Sequence, residues 1–176
     1  CLIDDPDDPV RIRAMRALRA IAPQTDAIIQ VLRLARVDQS AEVQRDAATL
    51  LREWNVKIPR AEDALVDTIN LGHWNSVAQF GVDVLPFTSR ILREPQTDQA
   101  SVQRRVGACS ALGDLKAKGK ARSKVITQLE HVFTDSAPRV RAAAAKAAGQ
   151  TGGPKATNIL RTLMTDLTAQ VRIGVC

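Results

Sequence analysis

The stretch Asp135-Ser-Ala-Pro-Arg-Val-Arg-Ala-Ala-Ala-Ala-Lys-Ala-Ala-Gly149 contains the pattern on which the whole chain is built. From Val140, small side chains follow at Ala144, Ala147 and Ala148, so that all four residues lie on one stripe of an α-helix, about 100° wide. Alanine adds little volume to such a stripe, and the pattern therefore predicts a slim helix that a second helix can approach closely. We expect Gly149 to end this helix, because glycine adopts the left-handed conformation without steric cost.

The same spacing, with matches at positions zero, four, seven and eight, recurs at five other places in the chain. The intervals between successive first positions are 33, 34, 27, 36 and 31 residues, which is typical of stacked supersecondary repeats. The sequence therefore predicts helix pairs in which larger side chains of a first helix fill the hollows left by a slim second helix. The five stripes are Val10, Ala14, Ala17 and Leu18; Val43, Ala47, Leu50 and Leu51; Val77, Gly81, Val84 and Leu85; Arg104, Ala108, Ala111 and Leu112; and one that begins at Val171.

An aspartate stands five residues before the first stripe position in four of the six stretches. At this place its carboxylate can accept hydrogen bonds from the free N–H groups at the start of the helix. These residues are Asp5, Asp38, Asp135 and Asp166.

These motifs resemble the HEAT-like repeats, including those of the bilin-lyase type, whose second helix opens with a loop Asp followed by Val-Arg and closes with small residues and Gly. The resemblance covers essentially the whole chain, although Gln44 replaces the arginine in one stretch and the segment 74–85 has neither the Asp nor the Arg. It implies slim helices that line a concave side. It also implies a polar ladder between neighbouring repeats, formed by Asp5 and Arg11, Asp135 and Arg141, and Asp166 and Arg172.

The composition agrees with an all-α fold of domain size. The chain has 176 residues, of which 45% are hydrophobic, 25% charged and only 3% aromatic, and strand-like alternation is absent. With the resemblance, this predicts a single right-handed α-solenoid over residues 1–176, made of about five to six helix-pair repeats with incomplete terminal repeats. Because it begins and ends with second-type helices, we expect the chain to be a slice of a longer array or to lack its recorded flanks. The approximate repeats are 1–22, 24–54, 59–85, 86–114, 120–150 and 154–176, and the first-type helices are 25–36, 59–71, 86–93, 123–133 and 154–164.

The charge of the chain is unevenly distributed. Residues 1–88 carry 10 basic and 13 acidic side chains, whereas residues 89–176 carry 15 and 6. A basic half attracts acidic partners, whether a protein, a nucleic acid or an anionic lipid surface. The densest cluster is a candidate basic loop, which is either a solvated connection or a binding site: Lys116, Lys118, Lys120, Arg122 and Lys124.

The leading functional hypothesis is a non-catalytic scaffold that binds a protein partner, with acidic partners favoured, on its concave helix-lined face. A nucleic-acid-binding solenoid is the main alternative, but the exposed columns of the repeats are not consistently basic, and few aromatic residues are present for base stacking. An accessory subunit of a modifying enzyme, lyase-like as in some HEAT-like proteins, is a third class.

Trp54 has the phase of a packing residue, whereas Trp74 either packs or makes an exposed contact. The candidate partner-binding residues are Arg13, Arg16, Arg45, Arg105 and Lys146.

Catalytic or metal-binding motifs are not recognisable in the sequence, and we expect no enzymatic activity and no cofactor. His73 and His131 are isolated from each other and from any second ligand at metal-binding spacing. No apolar run approaches the ~20 residues of a membrane-spanning helix. The cysteines at positions 1, 109 and 176 show no paired spacing, which favours a reducing compartment and a cytoplasmic location.

Overall fold

A computed structural model describes residues 5–21, 24–94 and 97–175 of the chain, apart from the side chain of Ile21. Throughout these ranges the regular structure is helical, without a β-strand, as the sequence predicts. The chain divides into two compact units, Cys1–Val66 and Asp67–Cys176. None of the helices in the described ranges has the length and apolar character needed to traverse a bilayer. The expectations for the two terminal cysteines lie outside the described residues.

The helices follow one another with short connections, and most of the predicted bounds are within a few residues of the observed ones. Thr25 caps the second helix through its side chain, as expected from its position. In chain order the helices are α1 (Asp8–Ile21), α2 (Asp26–Ala35), α3 (Ala41–Glu53), α4 (Arg60–Asn70), α5 (Trp74–Val77), a 3-10 helix (Ala78–Val84), α6 (Leu85–Arg93), α7 (Gln99–Asp114), α8 (Gly119–Glu130), α9 (Pro138–Thr151), α10 (Pro154–Leu163) and α11 (Ala169–Val175).

The core of the first unit is formed between α1, α2 and α3. All four stripe residues of α3 are buried, as predicted, and Trp54 packs against the same cluster. In α1 the predicted stripe is wrong in detail, because Ala17 is exposed and Met15 is fully buried instead. Spacing identifies small residues on a helix, but it does not identify the side on which a neighbouring helix packs. In α1 that side carries Met15.

The second unit contains a layer of slim helices in which α9 packs between α7 and α11. The stripe of α9 is buried along its whole length, and the helices approach so closely that glycine is required at two crossing points. A methyl group at Gly113 of α7 would lie 2.9 Å from the Cα atom of Ala147 in α9. A methyl group at Gly174 of α11 would lie 2.9 Å from the carbonyl oxygen of Ala142. The close approach predicted from the alanine stripe is therefore present.

The prediction that Gly149 ends its helix is wrong. Helix α9 continues to Thr151, whose hydroxyl donates a hydrogen bond of 2.8 Å to the carbonyl oxygen of Ala147. The helix ends at Gly152, which has a φ of 67° and donates its N–H to Ala148. Two successive glycines with positive φ, Gly152 and Gly153, form the turn, so the left-handed conformation is used three residues later than expected.

The stretch from Val77 to Leu85 does not form the predicted slim helix. Helix α5 ends at Val77, and Gly81 has a φ of 62° and a ψ of −141°, which no helix accommodates. Three of its four stripe residues are nevertheless buried. In the same region, Trp74 packs directly onto α7, because a Cβ atom at Gly107 would clash with its indole ring. Of the two roles considered for Trp74, the structure shows the packing role.

Candidate partner-binding site

Arg141 joins two successive repeats of the second unit. Its Nη1 atom donates a hydrogen bond of 2.7 Å to the carbonyl oxygen of Asp135 in its own repeat. Its Nε and Nη2 atoms donate bonds of 2.9 Å each to the two carboxylate oxygens of Asp166 in the following repeat. These bonds, with that from the N–H of Thr168, hold the pKa of Asp166 down at about 2. Arg141 therefore forms a bidentate, charge-assisted link between neighbouring repeats.

The same arrangement is present in the first unit. Arg11 donates a bond of 2.7 Å to the carbonyl oxygen of Asp5 and one of 3.0 Å to the buried carboxylate of Asp38. Burial lowers the pKa of Arg11, but the hydrogen bond and the charge of Asp38 outweigh this effect and raise the pKa above its ordinary value. Where Gln44 replaces the arginine, its amide still donates to the carbonyl oxygen of Asp38, at 2.5 Å. Arg172 likewise donates to the carbonyl oxygen of its own Asp166, at 2.7 Å.

Arg105 is a ladder residue and not a partner-binding residue, so its place among the candidates is wrong. It is only 8% exposed and forms an ion pair with Asp135, whose side chain is completely buried. Arg104 occupies the first stripe position of α7, and Arg105 therefore stands where Arg141 stands in α9. The ladder role of Arg105 could have been inferred from the sequence, because Arg105 and Arg141 are 36 residues apart. The same interval separates Arg104 from Val140.

The outward sides of α7, α9 and α11 form a surface of aligned rows, which we call the second-helix face. Two of its rows cross all three helices, and the other two cross α7 and α9. In the first row, Arg139 donates a hydrogen bond of 3.2 Å to the side-chain oxygen of Gln103. In the last row, the amide of Gln150 donates to the carboxylate of Asp114 at 3.4 Å. The rows are Gln103, Arg139 and Gln170; Val106, Ala142 and Ile173; Ser110 and Lys146; and Asp114 and Gln150.

The second row of this face is apolar. Val106 and Ala142 are half-buried, and Ile173 is 73% exposed. The rows on either side carry exposed polar and basic side chains, including those of Arg139 and Lys146. The surface therefore offers apolar contact along its middle and hydrogen-bonding or cationic groups along its margins, as protein interfaces do.

The predicted partner-binding arginines of the first unit are all exposed, but they are distributed over two helices. Arg16 pairs with Glu42 at 2.8 Å across α1 and α3, while Arg13 and Arg45 have no such partner among the described residues. Of the five candidates, Lys146 lies on the second-helix face. Sequence reasoning missed Arg139, which would have been found by comparing the residues immediately before each stripe.

The cations of the candidate basic loop, which we call the basic edge, lie between α7 and α8 and along the first two turns of α8. The four lysines are exposed, and Arg122 is half-buried with its Nε donating to the carbonyl oxygen of Ala117 at 3.5 Å. The first turn of α8 has no acidic residue, and Lys118 at its N-cap provides no side-chain hydrogen bond. The basic edge is defined as Lys116, Lys118, Lys120, Arg122 and Lys124.

The remaining reactive groups do not assemble into a catalytic constellation in the part of the chain that the structure describes. His73 and His131 are both exposed, and no group of three metal-ligating side chains is present among these residues. Burial raises the pKa of the Cys109 thiol to about 12, although the charge of Arg105 opposes the shift. A groove of about 350 Å³ in the first unit is lined by apolar residues such as Leu51 and Ile58 together with charged ones such as Arg52.

Comparisons with known proteins bear on the second unit. A family model described as HEAT repeats matches residues 92–175, which contain α7 to α11. None of the curated proteins matches the chain. The matched segment contains the layer of slim helices and the rungs formed by Arg105 and Arg141. Together, the match, the all-helical architecture and the Asp/Arg ladder support HEAT-like repeats in residues 92–175 and an α-solenoid fold.

Proposed function

We propose that the chain is a non-catalytic scaffold that binds a partner protein on the second-helix face. HEAT repeats commonly mediate interactions between proteins. The observation that carries the proposal is the apolar row of Val106, Ala142 and Ile173, which crosses three successive helices between two polar rows. An exposed isoleucine in such a row is costly to leave in water and gains free energy when a partner covers it.

The spacing of this row fits an extended peptide segment. Packed helices lie about 8–10 Å apart, and every third residue of an extended chain in the polyproline II conformation lies on the same side, displaced by about 9 Å. A partner segment that crosses α7, α9 and α11 would therefore place side chains i, i+3 and i+6 against Val106, Ala142 and Ile173. Arg139 and Lys146 would flank this segment and favour carboxylates in it.

Site-specific photo-crosslinking tests this proposal. A photoreactive amino acid at Ser110, on the second-helix face, should crosslink a specific protein in cells that produce the chain. The matched control position is Asn158, which is also exposed but lies on the first-type helix α10, outside both the second-helix face and the basic edge. The crosslink from Ser110 should disappear in Ile173→Asp, a change at an exposed side chain that leaves the core intact. Equal crosslinking from both positions, or crosslinking that persists in the variant, would contradict the proposed face.

Nucleic-acid binding is the second candidate function, and the observation that favours it is the excess of basic residues in the second unit. Its rows do not supply a basic side chain in every repeat, since Arg139 lies between Gln103 and Gln170. The regular spacing of phosphates along a strand calls for such a repeat. The scaffold proposal therefore has the stronger support.

A further inference from the structure

The basic edge lies in a segment of the second unit that has a large excess of positive charge. Residues 97–175 contain 13 basic and five acidic side chains, a net charge of +8. The five carboxylates all have partners within the fold. Asp98 accepts the N–H of Ser101, Asp114 the amide of Gln150 and Glu130 the ammonium of Lys155, and Asp135 and Asp166 bind the ladder arginines.

The lysines of the basic edge, by contrast, have no hydrogen-bond or ion-pair partner among the described residues. Lys120 and Lys124 are one helical turn apart, so their like charges repel each other. Lys120 also lies in the first turn of α8, at the positive end of the helix dipole, which is unfavourable for a cation. Binding of an anion at this place would relieve both effects.

The spacing of these cations indicates the form of the anion. Residues four apart in an α-helix are displaced by about 6 Å along the axis, and alternate residues of an extended chain are displaced by about 6.6–6.8 Å. We propose that the basic edge binds an extended acidic segment of the partner protein, with carboxylates at alternate positions that pair with Lys120, Lys124 and the neighbouring Lys118. This inference rests on the proposed scaffold function and adds a second contact outside the second-helix face.

A protein segment fits the basic edge better than a single-stranded nucleic acid does. Proteins that bind single strands combine cations with exposed aromatic side chains on which bases stack. The aromatic residue of segment 97–175 is Phe133, and it packs against the core cluster of Ala145, Leu163 and Val171. Carboxylates require only the cations that the basic edge offers.

Fluorescence anisotropy with the full chain tests the inference. The probe is a labelled ten-residue peptide of alternating Glu and Ser, and the reference peptide has Gln in place of Glu. In Lys120→Glu/Lys124→Glu, we expect the Kd of the acidic peptide to rise by about tenfold or more. The control Arg93→Glu/Arg161→Glu changes the net charge equally at exposed sites on α6 and α10 and should change the Kd by less than about threefold.

Loss of peptide binding in Lys120→Glu/Lys124→Glu would not be explained by unfolding of this variant. A glutamate at position 120, in the first turn of α8, interacts favourably with the helix dipole, and both changes reduce the excess of positive charge. The melting temperature of Lys120→Glu/Lys124→Glu should therefore equal or exceed that of the parent. Equal losses in the two double variants would overturn the inference, as would equal affinity for the Gln peptide. Tighter binding of a ten-nucleotide thymidine strand or a ten-base-pair duplex than of the acidic peptide would also overturn it, in favour of a nucleic acid.

The second-helix face and the basic edge can each be rejected without rejecting the other. Ile173→Asp should abolish the crosslink from Ser110 and leave the affinity for the acidic peptide unchanged. If the peptide fails to distinguish the variants while that crosslink is specific, the second-helix face is retained and the basic edge is rejected. If the peptide distinguishes the variants but the crosslink from Ser110 is not specific, the basic edge is retained and the second-helix face is rejected.

Discussion

Single residues decide how firmly one repeat holds the next, and the ion pair of Arg105 with Asp135 is a buried example. The Asp135 side chain is completely buried and that of Arg105 is only 10% exposed. Both charges are largely shielded from bulk water, so each depends on the other for compensation. Burying an ion pair brings little net stability, but removing one partner leaves an uncompensated charge in the interior.

Replacing Asp135 with alanine should therefore lower the free energy of unfolding by about 3–5 kcal/mol. The loss includes the hydrogen bond of 2.8 Å that its carboxylate accepts from the N–H of Ala137. Urea denaturation followed by circular dichroism measures the effect. Asp114→Ala is the control, since Asp114 is exposed and bonds only to Gln150, and it should cost less than about 1 kcal/mol. Similar stabilities of the two variants would contradict the ladder role of Asp135.

Asp166 gives the ladder a pH dependence. Its pKa in the folded chain is about 2, below its ordinary value of 3.8, because Arg141 and Thr168 bond to the ionised form. The stabilisation is complete above about pH 4 and is lost as the pH falls towards 2. We expect Asp166→Asn to melt at a lower temperature than the parent at pH 6, with a difference that narrows between about pH 4 and pH 2. A difference that stays constant in thermal melts over this range would be inconsistent with the link.

At the scale of helices, the slim layer of the second unit depends on small residues at the crossing points. Gly113 in α7 and Gly149 in α9 occupy equivalent positions of their repeats, nine residues after the first stripe position. Their surroundings differ, because Gly113 is buried against the backbone of Ala147, whereas Gly149 is exposed and a methyl group there would have only Leu160 near it, at 4.0 Å.

The same substitution should therefore have opposite effects at these two positions. Gly113→Ala should destabilise the fold by about 1–3 kcal/mol, because α7 and α9 must separate to admit the methyl group. Gly149→Ala should stabilise it by about 0.5–1 kcal/mol, because alanine favours the helix and meets no obstruction. Chemical denaturation of both variants provides the measurement. A stabilising effect at both positions would show that α7 and α9 are not in close contact.

Helix types and most helix bounds could be predicted from the sequence, because the apolar spacing and the Asp-Val-Arg pattern depend on local geometry. The burial of α3 and α9 follows directly from their stripes. The ladder role of Arg105 could also have been found from its 36-residue distance to Arg141, but the exposure of Ala17 and the break at Gly81 could not be predicted with the same reasoning. Each depends on which neighbour packs against which side of a helix, and that information is spread over distant parts of the chain. Of the candidate partner-binding residues, Lys146 lies on the second-helix face, whereas Arg139 was missed because the residues immediately before each stripe were not compared.

At the scale of the whole molecule, the net charge is unevenly distributed along the chain. Residues 97–175 have a net charge of +8, while the complete chain has +6. The carboxylates of this segment are already paired, so its exposed cations repel one another without internal relief. Self-repulsion of this kind destabilises the compact state, and dissolved salt screens it.

Raising the sodium chloride concentration from about 10 to 150 mM should therefore increase the melting temperature of the parent chain by a few degrees. The increase should be smaller in Lys120→Glu/Lys124→Glu, in which the net charge of the segment is lower and two carboxylates face the remaining lysines. Differential scanning calorimetry at several salt concentrations measures both slopes. A melting temperature that falls with salt would indicate that attractive ion pairs, such as Lys155 with Glu130, outweigh the repulsion.

The repeat that contains α9 carries both halves of the ladder. It presents Asp135 to the arginine of the repeat before it and Arg141 to the aspartate of the repeat after it. A repeat with this arrangement is complementary to a copy of itself. Duplication of the corresponding gene segment would thus create a longer array whose new junction is already compatible, and the length of such a protein can change in evolution without the invention of a new interface.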